Sequence, residues 1–399
     1  MNKMTRILKG IKVVDLTQVG AGPMCTRILG DFGAEVIKVE IPKVGEPART
    51  VPPYLKGQSY YFTVMNTNKK SITLNLRSEK GAKIFRELLG RAHVLVENFT
   101  PGVMKRLKIG YEEVREINPG IIYLSISGFG QEGPYRSYPT YDPIIQAMGG
   151  AMALTGEADG PPMMSGVGLA DWMTGMSAAV ATLAAVIFWK NTEKGQHIDL
   201  SMQDCVWLMA AQGHFSAYFA KGEIPSRTGN YLSPFAPYNC YKAKDGYIFI
   251  SIISNVNWQG LLKAMGKEDL IEDPDLSRLK GRRERLKEID QMVQAWVGDK
   301  TIEEIRGKLL EERVPSGPVL TFDKLIADPN LLARQMIVDI EQPGVGTMKI
   351  PGSPFKFSES PVEFKLPAPS LGEHNAEIYS DLLGLSKEDL TSLEEEGVI

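Results

Sequence analysis

The sequence predicts an α/β protein, with a parallel sheet in a large domain followed by a smaller α/β domain. Three observations carry this. Short apolar, β-branched runs alternate with helical stretches through the first half of the chain, as they do where crossover helices join parallel strands. At 399 residues the chain exceeds what one ordinary core organises, so two domains are expected. Around Ser226 to Pro237 the composition shifts to glycine, proline, serine and asparagine, which places a boundary there.

Taken in order, Ile11 to Leu16 reads as a buried strand. Gly20-Ala21-Gly22-Pro23 then breaks the chain, and Pro23 suits the first turn of a helix, where its missing N–H has no partner to lose. Gly33 ends that helix, and Glu35 to Glu40 (EVIKVE) is the second strand. Ser71 to Leu76 is a strand, Ser78 to Arg91 a helix and Val94 to Glu97 a strand. Ile121 to Ser127 is another, closed by Gly128-Phe129-Gly130. Trp172 to Trp189 is the most apolar stretch. Its length approaches the roughly 20 residues that span a bilayer. Thr174, Gly175, Ser177 and Thr182 interrupt it, so it reads as a buried helix. Lys194-Gly195-Gln196 turns into a strand from His197 to Ser201. The large domain is therefore expected over residues 1–225 and the small one over 226–325, with a strand near Tyr247 to Ile252. Residues 326–399 begin as a linker. Five prolines from Pro351 to Pro369 make that part extended, and helices follow from Glu373.

Charge and cysteine usage narrow the function. A net charge of -3 and a pI near 6.0 argue against broad binding to nucleic acid or anionic membranes. Cys25, Cys205 and Cys240 form no CxxC pair, and the four histidines are scattered. No metal site is expected, and the thiols read as free in a reducing cytoplasm. The stretch MNKMTRILKGIKVVDL lacks a long apolar segment, so no signal peptide is expected.

Four places bear chemistry. Gly20-x-Gly22 after a strand, with Glu40 about twenty residues on, imitates a dinucleotide fingerprint. The third glycine would fall on Cys25, and Pro23 sits inside the motif, so neither NAD nor FAD is expected. The turn serves either as a tight strand-to-helix connection or as backbone N–H groups that approach another phosphate or a thioester. Asn98-Phe99-x-Pro101-Gly102 follows a strand at the end where α/β ligand sites form. Asn98 can hydrogen-bond a ligand, Phe99 can stack on an adenine, and Lys105 and Arg106 can meet phosphates; a plain turn with a solvated basic helix fits as well. Farther on, Asp142 suits an N-cap, whereas Tyr141 beside it offers a hydroxyl that no such role explains. Asp171 is the most informative residue. It opens a helix that is otherwise almost entirely apolar, where a carboxylate is expensive to bury. Capping accounts for it. So does a poorly solvated, nucleophilic carboxylate approached past Gly166, Gly168, Ala170 and Gly175.

Several of these stretches together resemble the family III CoA-transferases, the CaiB/BaiF family that includes formyl-CoA:oxalate and carnitine-linked transferases. The similarity runs from about Leu8 to Val398. It is carried by GPMCTRILGDFGAEVIKVE from Gly22, NTNKKSITLNLRSEKG from Asn66, VLVENFTPGVMKRLKIGY from Val94 and SISGFGQEGPYRSYPTYDPIIQAMGG from Ser125. ADWMTGMSAAVATLAAV from Ala170, GQHIDLSMQD from Gly195 and LGEH from Leu371 continue it. The resemblance implies a Rossmann-like large domain, a small domain, a C-terminal return to the large one, and two chains interlocked as a homodimer. It implies transfer of coenzyme A from an acyl-CoA to a carboxylic acid, through an anhydride and a CoA thioester on Asp171, with Tyr141 beside it. Gly20, Ala21, Leu74, Asn75, Arg77, Asn98, Phe99 and Arg106 fall at CoA-contacting positions. Coenzyme A is then a substrate, and no metal or redox cofactor is required. Two departures matter. Ile41 stands where some members carry an arginine on the CoA path. The tetraglycine loop of the oxalate-type enzymes has no equivalent run, and Gly229 to Pro234 is its counterpart. The same fold and aspartate position also serve 2-methylacyl-CoA racemases, which place a histidine where this chain has Tyr141. A non-catalytic acyl-CoA binding protein is the remaining alternative.

Overall fold

Six short strands pair in one parallel sheet: β1 (Lys12–Asp15), β2 (Glu35–Glu40), β3 (Lys69–Thr73), β4 (Val94–Glu97), β5 (Ile122–Ser127) and β6 (Gln196–Ser201). They were located in a computed structural model that describes residues 6–399 and, among these, all but the side chain of Gln212. The first five residues, part of the N-terminal stretch with no expected signal peptide and of the expected 1–225 domain, lie outside the described residues. The strand order is β3-β2-β1-β4-β5-β6. It reverses between β1 and β4, and ligands of doubly wound folds bind beyond the strand ends at such a reversal.

Burial on both faces explains the near-continuous apolar runs. Val13, Val36 and Val94 stand in register and face one layer, with Ala178 and Ala185 of a long helix. Their neighbours Val14, Ile37 and Leu95 face the other layer, with Phe85 and Leu88. Charges interrupt this pattern: Asp15, Lys38 and Lys69 lie in or beside the central strands at 1% exposure or less. The helices around the sheet are α1 (Ala21–Asp31), α2 (Tyr60–Asn66), α3 (Glu79–Leu89), α4 (Val103–Arg106), α5 (Tyr111–Ile117), α6 (Asp142–Met148), α7 (Leu169–Thr192) and α8 (Met202–Lys221). The hydroxyl of Ser78 accepts the Gly81 N–H and starts α3.

α7 differs from the buried helix expected of its sequence. One stripe is buried, Ala170, Thr174, Ala178, Thr182 and Ala185 at helical spacing, and it crosses α1. Trp172, Met176, Val180 and Ile187 on the remaining surface are exposed. A helix apolar all round tells of burial but not of which faces one chain buries. α7 is also long and apolar enough to cross a membrane by length and composition.

Contacts divide the chain into two units. The first holds the residues up to Met152, Met164–Ile224 and Leu332–Ile399; the second holds Ala153–Met163 and Pro225–Leu331. In the second, β7 (Tyr238–Ala243), β8 (Gly246–Ser251) and β9 (Ser316–Pro318) form an antiparallel sheet of order β9-β8-β7. Its core gathers Ile248, Ile250, Trp258, Leu261, Val293 and Leu309. In the first unit, β10 (Ile337–Gln342) and β11 (Gly346–Pro351) form a hairpin. Beyond it, Ile378, Tyr379, Leu390, Leu393 and Ile399 pack on the β1–β4 sheet in the layer of Val14.

Candidate active site

The site begins where β1 ends. Asp15 accepts the Thr17 N–H at 2.8 Å and the Thr26 hydroxyl at 2.7 Å, and it pairs with Lys69 at 3.1 Å. Burial opposes its ionisation. The ammonium groups of Lys38 and Lys69 and the two threonine hydroxyls overcome that and hold the carboxyl down at about 2. The turn Thr17 to Gly20 therefore leaves the sheet from a fixed, charged anchor. Asn98, after β4, clamps it from across the strand-order reversal. Its Oδ1 accepts the Gln18 N–H at 2.8 Å, and its Nδ2 donates to the Gln18 carbonyl at 2.9 Å. Both hydrogen-bonding ends of the Asn98 amide are thus engaged by backbone.

The turn delivers the start of α1 to Asp171. Asp171 is the third residue of α7, with Gly168 at the N-cap, so it does not cap its own helix. A Cβ on Gly20 would lie 2.3 Å from its Oδ2; glycine lets the turn approach that closely. The Ala21 N–H hydrogen-bonds to the Asp171 carboxylate. Two helices of eleven and twenty-four residues, α1 and α7, thus bring N-terminal ends to one carboxylate, which favours negative charge. Burial nevertheless raises its pKa, Asp142 adds like-charge repulsion, and the Ala21 N–H opposes both; the result is about 6. Asp142 is not the N-cap of α6, a place Tyr141 takes. Its Oδ2 instead accepts the Asp171 N–H at 3.0 Å. Tyr141 itself is 76% exposed. Tyr61 was not singled out from sequence. Burial pushes its hydroxyl up to about 12, and the charges of Asp171, Glu46 and Asp142 add to this.

Beside the turn opens a cavity of about 740 Å³, within the roughly 300–1,000 Å³ common for small-molecule sites. Leu74, Asn75, Arg77, Phe99 and Arg106 line it, as do Gln18, Ile41, Lys43 and Leu76. Its walls are mostly apolar, with Lys43, Arg77 and Arg106 supplying cations. Lys43 thus enters the wall on which Ile41 stands. Neither Lys43 nor Gln18 was expected here. The only sequence signal for Gln18 was its place in a strand–turn–helix. Two of the four scattered histidines are structural: ring nitrogens of His93 and His374 accept the N–H groups of Lys12 and Ser71. Gly229 to Pro234 lies in the second unit, where the Tyr231 hydroxyl donates to Asp290. Among the described residues no cluster of His, Cys, Asp and Glu has the make-up of a metal site.

Residues 8–375 match the family model described as CoA-transferase family III. The chain belongs to the family III CoA-transferases. Among its relatives, the transferase is 36% identical to a formyl-CoA:oxalate CoA-transferase of Streptomyces avermitilis, over 99% of this chain and 100% of that one. It is 36% identical to a succinyl-CoA–D-citramalate CoA-transferase of Chloroflexus aurantiacus, over 99% and 98%. In structure the transferase superposes on a CaiB/BaiF family protein from Brucella suis with a TM-score of 0.84 and 35% identity, covering 94% of this chain and 99% of the other.

Proposed function

We propose that this transferase moves coenzyme A from an acyl-CoA to a small carboxylic acid through acyl intermediates on Asp171. The observation that carries the reading is the Asp171 carboxylate itself, at the ends of two helices with a pKa raised to about 6. Such a group is ionised at neutral pH yet poorly solvated, which favours nucleophilic attack.

Asp171 attacks the thioester carbonyl of the donor, forming a mixed anhydride and releasing CoA thiolate. The thiolate attacks the aspartyl carbonyl. That breaks the anhydride, frees the donor acid as its carboxylate and leaves an aspartyl-CoA thioester. The acceptor carboxylate attacks this thioester, giving a second anhydride and CoA thiolate again. Attack of the thiolate on the acceptor's carbonyl forms the product thioester and restores Asp171. Gly20 and Ala21 form the backbone wall, where N–H groups at the start of α1 favour developing negative charge. Tyr141 offers a hydroxyl to the acyl group. Coenzyme A fits the neighbouring cavity, with Phe99 and Leu74 against apolar parts, Asn75 and Arg77 at the rim, and Arg106 on phosphate; Asn98 acts by holding the Gln18 backbone.

The dimer belongs to the same reading. Val180, Ile187, Trp207, Leu208 and Phe219 on α7 and α8 are each more than half exposed, a surface that a second copy of the chain covers. Three free cysteines suit the cytoplasm.

One experiment tests the site with two variants. Formyl-CoA and succinyl-CoA are offered with a panel of carboxylic acids, and products are read by mass spectrometry. Asp171→Ala abolishes transfer while acyl-CoA still binds, and hydroxylamine trapping labels Asp171 only in the wild type. Arg106→Ala raises KM for the thioester more than it lowers kcat, by the roughly 1.5–3 kcal/mol of a charged hydrogen bond. Near-normal turnover by Asp171→Ala sinks the mechanism; an unchanged KM removes Arg106 from the cavity's role.

A further inference from the structure

The turn that meets Asp171 holds a conformation its own residues disfavour. Val19 has a φ of 65°, in the left-handed region where a β-branched side chain is an outlier. Such a residue persists only when its surroundings hold it. The Val19 N–H donates to Glu46 Oε2 at 2.8 Å. Glu46 is 3% exposed, and its other carboxylate oxygen pairs with Lys38 Nζ at 3.0 Å. Lys38 in turn donates to the Thr17 carbonyl at 2.8 Å. The Glu46–Lys38 pair therefore grips the peptide groups on both sides of Gln18. The next residue, Gly20, lies against Asp171, and the one after supplies its N–H. A buried ion pair is in itself weak evidence of a stabilising role, and here both partners spend hydrogen bonds on the turn.

We propose that Glu46 is a positioning residue of the transfer reaction. It holds Val19 in the left-handed conformation, and through it sets Gly20 and the Ala21 N–H against the Asp171 carboxylate. This rests on Asp171 as the nucleophile. Glu46 also borders the cavity assigned to coenzyme A, but the role proposed here is exerted through the backbone of the turn.

The test uses substitutions at both ends of the bond. Glu46→Gln removes the charge. Glu46→Asp keeps a charge for Lys38 but draws the carboxylate back from Val19, so it remains informative if Glu46→Gln does not fold. Each is combined with Val19→Gly, because glycine adopts a positive φ without steric cost. Turnover is measured with the donor–acceptor pair that reacts fastest in the panel above, alongside thermal unfolding. Each Glu46 variant lowers kcat by about tenfold or more, as misplacement of a reacting group does, with a smaller change in KM. Adding Val19→Gly recovers part of the lost kcat. A role in overall stability alone predicts no such recovery, since glycine adds no contact to Lys38. Wild-type kcat in both Glu46 variants overturns the proposal, and so does a loss that Val19→Gly leaves unchanged. Asp171→Ala runs in parallel. If it turns over normally, the nucleophile assignment falls and this proposal with it. If it is inactive and glycine brings no recovery, only the role of Glu46 falls.

Discussion

Replacing Gly175 by alanine tests how tightly α7 and α1 must cross for the site to form. The new Cβ would lie 2.8 Å from Met24 Cβ and 2.9 Å from the Ala21 carbonyl oxygen. Ordinary contact is about 3.5–4.0 Å, so the shortfall is near 1 Å. Rotation about χ1 moves Met24 Cγ but leaves its Cβ in place. The Ala21 oxygen belongs to the first turn of α1 and yields only if that helix moves. Overpacking costs about 1–3 kcal/mol, while alanine gains about 1 kcal/mol over glycine in a helix interior. Because the clash is with backbone, the upper part of the first range applies, and the net loss is about 1–2 kcal/mol. For a domain of this size that lowers Tm by about 2–8 °C. Activity falls further than stability, because the same residue, Ala21, donates its N–H to Asp171. Calorimetry and steady-state kinetics on Gly175→Ala measure both. A raised Tm with unchanged kcat would show that helix propensity wins and that the crossing has slack, which refutes the reasoning.

Asp171 must be ionised to attack, and its pKa stands above the ordinary 3.8 at about 6. The pH profile of kcat/KM therefore rises through about 6 and levels off above it. Asp142→Asn keeps an acceptor for the Asp171 N–H but removes the like charge, so the rising limb moves to lower pH; a limb that stays in place removes Asp142 as a cause. Sedimentation equilibrium gives twice the chain mass of 44.0 kDa, with no dissociation on dilution. A stable single chain would leave the apolar faces of α7 and α8 without their proposed partner.

The residues that sequence reasoning reached are those whose meaning is local. A carboxylate opening an apolar helix marks Asp171 wherever that helix packs, and Asn98-Phe99 after a strand marks a strand-end loop. What Asn98 does was not legible, because its partner Gln18 comes from another strand's turn. Tyr61 and Glu46 escaped for the same reason. A signal was present for the buried charges: Lys38 and Glu40 interrupt the apolar run of EVIKVE, and Asp15 ends the first strand. Charges in a strand buried on both faces demand partners, yet periodicity does not name them.

The sequence by itself determined the alternation of strands and helices, the apolar layers on either side of the sheet and the family to which the chain belongs, since these follow from side-chain patterns that repeat along the chain. Only the tertiary structure decided that one carboxylate oxygen of Asp142 accepts the Asp171 N–H while the other accepts from Gln146 of its own helix, that α7 buries one face and exposes Trp172, Met176, Val180 and Ile187, and that Glu46 and Lys38 hold the turn at Val19. These are pairings between distant segments. Their hydrogen bonds and close approaches exist only once the chain has closed, and no spacing within a single segment encodes them.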